Sequence, residues 1–173
     1  MCLSIVPHDP AWKRKFADEA DRISLALGQN VVAIHHIGST AIPNIVSKPI
    51  IDITVEVSRV DGVDDRAKRM SDVGYEFLGE YGICGRRYFR RSGPDGHRAI
   101  HVHCFESGSE QVSRHIAFRD FLLAHPTRAQ EYSDLKSRLI ADGVTTSGQY
   151  QALKAPFIEA ILRDVIEWSK GRL

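Results

Sequence analysis

"HIGSTAIPNIVSKPIIDITVEV", residues 36–57, sets a Gly-Ser turn and a lysine ahead of an apolar, β-branched run that carries one aspartate. The run from Pro49 to Val57 reads as a strand, and the preceding Val31–Ile37 as another, with the Gly-Ser-rich connection between them. Gly38 and Ser39 supply a backbone that a ligand can approach closely, a hydroxyl, and amides suited to a phosphate. Asp52 interrupts the apolar strand, and an unpaired buried charge is expensive. It therefore lies at a sheet edge, pairs with a cation, or binds a metal.

Working outward, Asp9 and Pro10 can start a helix, and Trp12, Phe16, Ala20, Ile23 and Leu27 then recur at three and four residues up to Gly28. A helix from about 63 to 73 follows the second strand, closed by Gly74. "YEFLGEY", "RRYFRR" and "RAIHVHCF" read as three further strands, the last two joined by the turn "SGPDG". Ser107 and Glu110 have capping-box spacing before the periodic run Val112, Ile116 and Phe118 to Leu123. Pro126 begins another helix reaching Ala141, and a last one runs from about 147 to 170 with a kink expected near Pro156. This order predicts an α+β fold in a single domain over 1–173, with a sheet-containing core over about 1–106 and a helical part over about 107–173.

The 43% hydrophobic and 26% charged composition is that of an ordinary soluble domain. Its 23 basic and 22 acidic residues leave a formal charge of +1, so no global field draws the chain to nucleic acid or to an anionic membrane. Any anion site is local. Cys2, Cys84 and Cys104 are widely separated and form no Cys-x-x-Cys pair, which fits reduced thiols. No signal segment or membrane-length apolar run is present, and a cytoplasmic protein is expected.

A Gly-Ser turn with twelve residues between Ser39 and a strand aspartate resembles the nucleotidyltransferase superfamily that includes polymerase β. More closely, "HIGSTAIPNIVSKPIIDI" is similar to the GrpB family signature HIGSTAVPGLxxKPIIDI, and the similarity continues through "HVHCF", "FRDFLLAHP", "EYSDLK" and "YQALKAPFIEAIL". The resemblance implies a nucleotidyltransferase-like mixed β-sheet packed with helices, plus C-terminal helices. It implies a metal-dependent nucleotidyltransferase that moves a nucleoside monophosphate from a triphosphate to an acceptor. On that reading Gly38, Ser39, Thr40, Lys48, Arg87, Lys136 and Lys154 hold the nucleotide, Asp52 is catalytic, and Asp52 with His101 and His103 holds magnesium, manganese or zinc. The competing reading is a non-catalytic module that binds a nucleotide or a phosphorylated metabolite, since GrpB domains also occur fused to dephospho-coenzyme A kinase.

The superfamily places two carboxylates on one strand, one residue apart, whereas this chain has Asp52, Ile53, Thr54. Glu56 shares their face, but four residues at roughly 3.3 Å each carry it about 13 Å along the strand. Paired catalytic metals sit only about 4 Å apart. His101 and His103 alternate onto one face, either completing a mixed metal site or serving one as a structural histidine and the other as a hydrogen-bonding group in the sheet. His36 reads as structural as readily as functional. The arginines at 86, 87, 90 and 91 form a basic hairpin that grips phosphate or is simply a solvated face. Arg119 and Asp120 read as an ion pair across helices, and Phe118, Phe121, Tyr132 and Tyr150 as core. Hydrolase elbow and Walker-type motifs are missing from the sequence.

Overall fold

The computed structural model describes residues 4–170, so Cys2 lies outside the described residues. Helix α1 (Ala11–Leu27) leads into strand β1 (Val31–Ile37), and β2 (Ile51–Val57) follows the Gly-Ser connection. Two short helices, α2 (Asp61–Asp64) and α3 (Ala67–Asp72), precede β3 (Glu76–Phe77), β4 (Arg87–Ser92) and β5 (Arg98–Glu106). The chain then becomes helical in α4 (Glu110–Ala124), α5 (Pro126–Ala141) and α6 (Ser147–Lys170).

The strands form one mixed sheet in the order β1-β2-β5-β4-β3, with β2 and β5 parallel and the other pairs antiparallel. One face buries Ile51, Ile53, Val55 and Val57 of β2 with Ile100, Val102 and Cys104 of β5 against Trp12, Ile23 and Leu27 of α1. Each such aliphatic side chain contributes about 1.5–3 kcal/mol when fully withdrawn from water. Glu19, on the same helix, is also buried, shared by the Tyr75 hydroxyl and the Arg91 guanidinium. A second apolar cluster joins Phe121 and Leu122 of α4, Ala129 and Tyr132 of α5, and Ile161 and Val165 of α6 to Ile42 and Ile45 of the connecting segment. The segment after Gly38 is thus anchored among the helices. Asn44 takes a left-handed φ of 63° where the family signature has glycine, a conformation asparagine tolerates better than most residues.

The α+β order holds, with four local departures from expectation. The helix expected over 63–73 is split at Asp65 and Arg66, where Arg66 N bonds back only three residues to Val63 O at 3.1 Å. The strand expected in "YEFLGEY" keeps two residues, since left-handed Gly79 and Tyr81 turn the chain away from the sheet. β2 begins at Ile51 rather than Pro49: proline has no N–H to donate, and Ile50 N bonds back to Lys48 O at 2.8 Å. Ser109, not Ser107, caps α4 by accepting from Gln111 N, while the Ser107 hydroxyl donates to Glu56 Oε2 at 2.9 Å. α5 starts on Pro126 as expected. α6 continues through Pro156, whose missing N–H leaves the Ala152 carbonyl without its helical donor.

Candidate functional site

Alternation puts Asp52, Thr54 and Glu56 on the sheet face opposite the α1 core, and register then selects their neighbours. Asp52 pairs with His101 and Thr54 with His103 across β2 and β5, while Tyr88 of β4 lies opposite His103. His101 Nδ1 donates to Asp52 Oδ1 at 3.1 Å. His101 Nε2 is buried without a hydrogen-bond partner. Burial pushes the Asp52 carboxyl up, but the bond and charge of His101, helped by His103 and Lys154, outweigh it and hold the carboxyl below its usual value. The Asp52 side chain keeps 33% of its surface open.

Gly38 closes over this carboxylate. A Cβ placed there would come 2.8 Å from Asp52 Oδ2, and its φ of 70° with ψ −170° suits glycine alone. The turn Ser39–Ala41 starts beside it. Ser39 lies close to the Tyr132 hydroxyl of α5. Thr40 is buried, and its hydroxyl is engaged with His36 Nε2 at 2.9 Å and Ile50 O at 3.4 Å, so it serves the fold of the turn. His36 lies on the α1 side, stacked on Phe16 at 4.9 Å, where burial lowers its pKa to about 4.

The helices bring three lysines to the carboxylate side of the sheet. Lys48 lies 4.5 Å over the Tyr150 ring and donates to Ser147 Oγ at 3.4 Å. Lys154 is 4.5 Å over the same ring, and Lys136 is 4.4 Å over Tyr132 and donates to Val46 O. None of the three makes an ion pair within 4 Å among the described residues. Lys136 is 1% exposed, and burial with the charge of Lys154 lowers its pKa to about 7. Burial and the charge of Lys48 lower Lys154 to about 8 against the opposing pull of Asp52. Burial lowers Lys48 too.

On the other side of His101, Arg86 is 6% exposed and meets carbonyls rather than a carboxylate. It donates to Tyr81 O at 2.6 Å, Glu80 O at 3.1 Å and His103 Nδ1 at 3.3 Å. Burial lowers His103 to about 3, so its neutral ring accepts from Arg86. The adjacent Arg87 lies on the opposite sheet face, clamped by Asp64 at 2.6 and 2.7 Å, and is not brought to Asp52. Arg119 pairs with Asp120 within α4 rather than across helices and also donates to His36 O at 3.0 Å. Tyr132 and Tyr150, expected as core, are buried but wall the lysines. Sequence reasoning passed over Tyr88 and His115 as site-lining groups, and neither carried a motif that would have marked it.

The donor set does not fit a pair of metals bridged by two carboxylates. Thr54 is wholly buried with its hydroxyl at His115 Nδ1, 3.1 Å away, and Glu56 is held by His35 at 2.7 Å and by Ser107. His103 already faces the Arg86 cation. Among the described residues no group of three or more His, Cys, Asp or Glu side chains is gathered to hold a metal ion. Two open surface hollows, of about 550 and 260 Å³, lie elsewhere, one at Glu131 and Arg138 and one at Asn30 and Arg59. No described helix is long and apolar enough to cross a membrane.

Fold and site together define an α+β protein whose mixed sheet carries one carboxylate beside a group of desolvated lysines. The chain belongs to the GrpB family, whose model, described as GrpB protein, matches residues 3–164. It is 41% identical over 170 residues to the UPF0157 protein YqkA of Bacillus subtilis, covering 98% of this chain and 49% of YqkA, so it spans about half the length of that relative. It is 32% identical over 164 residues to the glutamate-rich protein GrpB of Alkalihalophilus pseudofirmus, covering 93% of this chain and 94% of that one. The crystal structure of conserved protein GrpB from Enterococcus faecalis has a TM-score of 0.89 and 35% identity, over 96% of this chain and 99% of that chain.

Proposed function

We propose that the chain binds a phosphorylated small molecule in the seam between the Asp52 face of the sheet and helices α5 and α6. One observation carries this reading: Lys48, Lys136 and Lys154 are desolvated together without a carboxylate in contact, and their natural complement is an anion from solution. In this reading Lys48 and Lys154 take the phosphate oxygens, Lys136 adds its charge from behind, and the Gly38–Ser39 backbone borders the ligand.

Nucleotidyl transfer is the second reading, and the unpartnered His101 Nε2 favours it. With Nδ1–H directed to Asp52, Nε2 is the basic nitrogen, and an acceptor hydroxyl that displaced the groups covering it would give it a proton. That oxygen would bond to the α-phosphorus while the bond to pyrophosphate breaks, and the lysines would receive the leaving charge. Pyrophosphate release separates the two readings, since binding alone yields none.

The test is calorimetric titration of nucleoside triphosphates and inorganic tripolyphosphate, with and without magnesium, manganese or zinc, at pH 6.5 and 9.5. An anion binds protonated lysines, so affinity is expected to fall as pH rises through about 7 to 8, the pKa values of Lys136 and Lys154. The ligand-free protein should show the opposite trend. Both lysines titrate below their ordinary 10.5, so the unfolded chain holds more protons between about 7 and 10.5 and the lysines' contribution to stability rises with pH there. Equal affinity at both pH values would refute the lysine assignment.

Arg87→Ala is expected to change affinity less than about twofold and to cost about 1 kcal/mol at most, the worth of a partly exposed ion pair. Titration and thermal unfolding check both, and a tenfold affinity loss would return Arg87 to the site.

A further inference from the structure

Among the described residues Tyr81 is the one aromatic side chain among the large exposed hydrophobics, at 57% exposed. Its ring stacks on Tyr88 at 5.1 Å and 18°. Tyr88 is buried and packs at 5.7 Å against His101, the ring that holds Asp52. An open aromatic face thus stands two rings from the carboxylate, whose charge Lys154 also feels. The backbone beneath it is strained and held: Tyr81 has a left-handed φ of 46°, unfavourable for a bulky side chain, while glycines at 79, 82 and 85 take the other left-handed positions. Arg86 grips the Tyr81 and Glu80 carbonyls, and Glu80 Oε1 accepts from Gly85 N at 2.7 Å. The loop is pre-formed, which lowers the ordering cost of anything that binds on it.

Resting on the phosphate-binding reading, we propose that the ligand is a nucleoside phosphate whose base stacks on Tyr81 while its phosphates reach the lysines. A glycine at position 81 would relieve the backbone, and burial of the side chain does not repay the tyrosine, because more than half of it remains in water. A planar base covers that surface, and stacking on a tyrosine serves any base. The ligand is then distinguished from a sugar phosphate or inorganic phosphate by its ring.

The experiment is calorimetric titration of ATP, GTP, CTP and UTP beside inorganic tripolyphosphate into wild type, Tyr81→Ala and Tyr81→Phe. At least one nucleotide should bind wild type about tenfold or more tighter than tripolyphosphate. Tyr81→Ala should weaken that nucleotide about tenfold or more, leave tripolyphosphate within about twofold, and Tyr81→Phe should restore the nucleotide affinity. Tripolyphosphate binding as tightly as every nucleotide, or nucleotide affinity indifferent to Tyr81→Ala, overturns the stacking site and leaves the phosphate site standing. Loss of both ligands together in Tyr81→Ala also overturns it, as a general disruption of the site. Wild type that binds neither class overturns both.

Discussion

Lys154→Met is expected to lower affinity for a triphosphate roughly 30- to 5000-fold and to leave the protein at least as stable as wild type at pH 7. The affinity loss corresponds to the 2–5 kcal/mol that truncating one partner of a buried charge contact typically costs. Stability moves differently because Lys154 is 8% exposed, over the Tyr150 ring, with Lys48 as a repelling neighbour. Methionine fills similar volume without a charge to desolvate, and such replacements are often neutral or stabilising. Titration and thermal unfolding of the same preparation test both halves. Reduced stability with unchanged affinity would make Lys154 a structural residue and remove the main support for an anion site.

Gly38→Ala is expected to destabilise the fold by about 3 kcal/mol and to abolish ligand binding. The added methyl meets Asp52 Oδ2 at 2.8 Å and Asp52 Cβ at 3.2 Å, and its backbone conformation is essentially restricted to glycine. At about 2–4 °C per kcal/mol for a chain of this size, the midpoint of unfolding should fall by about 6–12 °C. Asp52→Ala in the same chain removes the carboxylate contact but not the backbone strain, so the double variant should recover only part of the loss. Wild-type stability in Gly38→Ala would mean that the turn relaxes freely and does not frame the carboxylate.

The strongest periodic and capping signals, those of α1, β1, α5 and α6, were legible in the chain, and so were the common face of Asp52, Thr54 and Glu56 on one strand and that of His101 and His103 on another. Alternation gives a face; it does not say which strand lies beside which, and the parallel pairing of β2 with β5 comes from tertiary packing. The same limit separates Arg86 from Arg87. Arg87 opens β4 with its side chain on the face away from Asp52, while Arg86, just before the strand, turns to His103, and no local pattern chooses between them. Lys136 and Lys154 were found through the family resemblance, because helical periodicity treats a lysine as a solvent-facing residue. The tyrosines at 132 and 150 were read as packing groups for the complementary reason: their burial is legible, but not the cations resting on their faces. Glu19 sat on an otherwise apolar stripe and became intelligible only with Tyr75 and Arg91 around it.

The two apolar clusters have separate memberships, one under the sheet and one among the helices, with the polar seam between them. Ile42 and Ile45 fasten the turn that borders Asp52 to the helical cluster, so the carboxylate stands on a strand of the first cluster and faces groups carried by the second. A ligand spanning the seam is therefore a clasp: it would tie elements of one cluster to elements of the other, beside the packing of α4 on β1 and β2. At a free concentration a hundred times its dissociation constant it would add about 2.7 kcal/mol to the stability of the fold. Occupancy would then be readable from outside the site, as slowed amide exchange along α5 and α6.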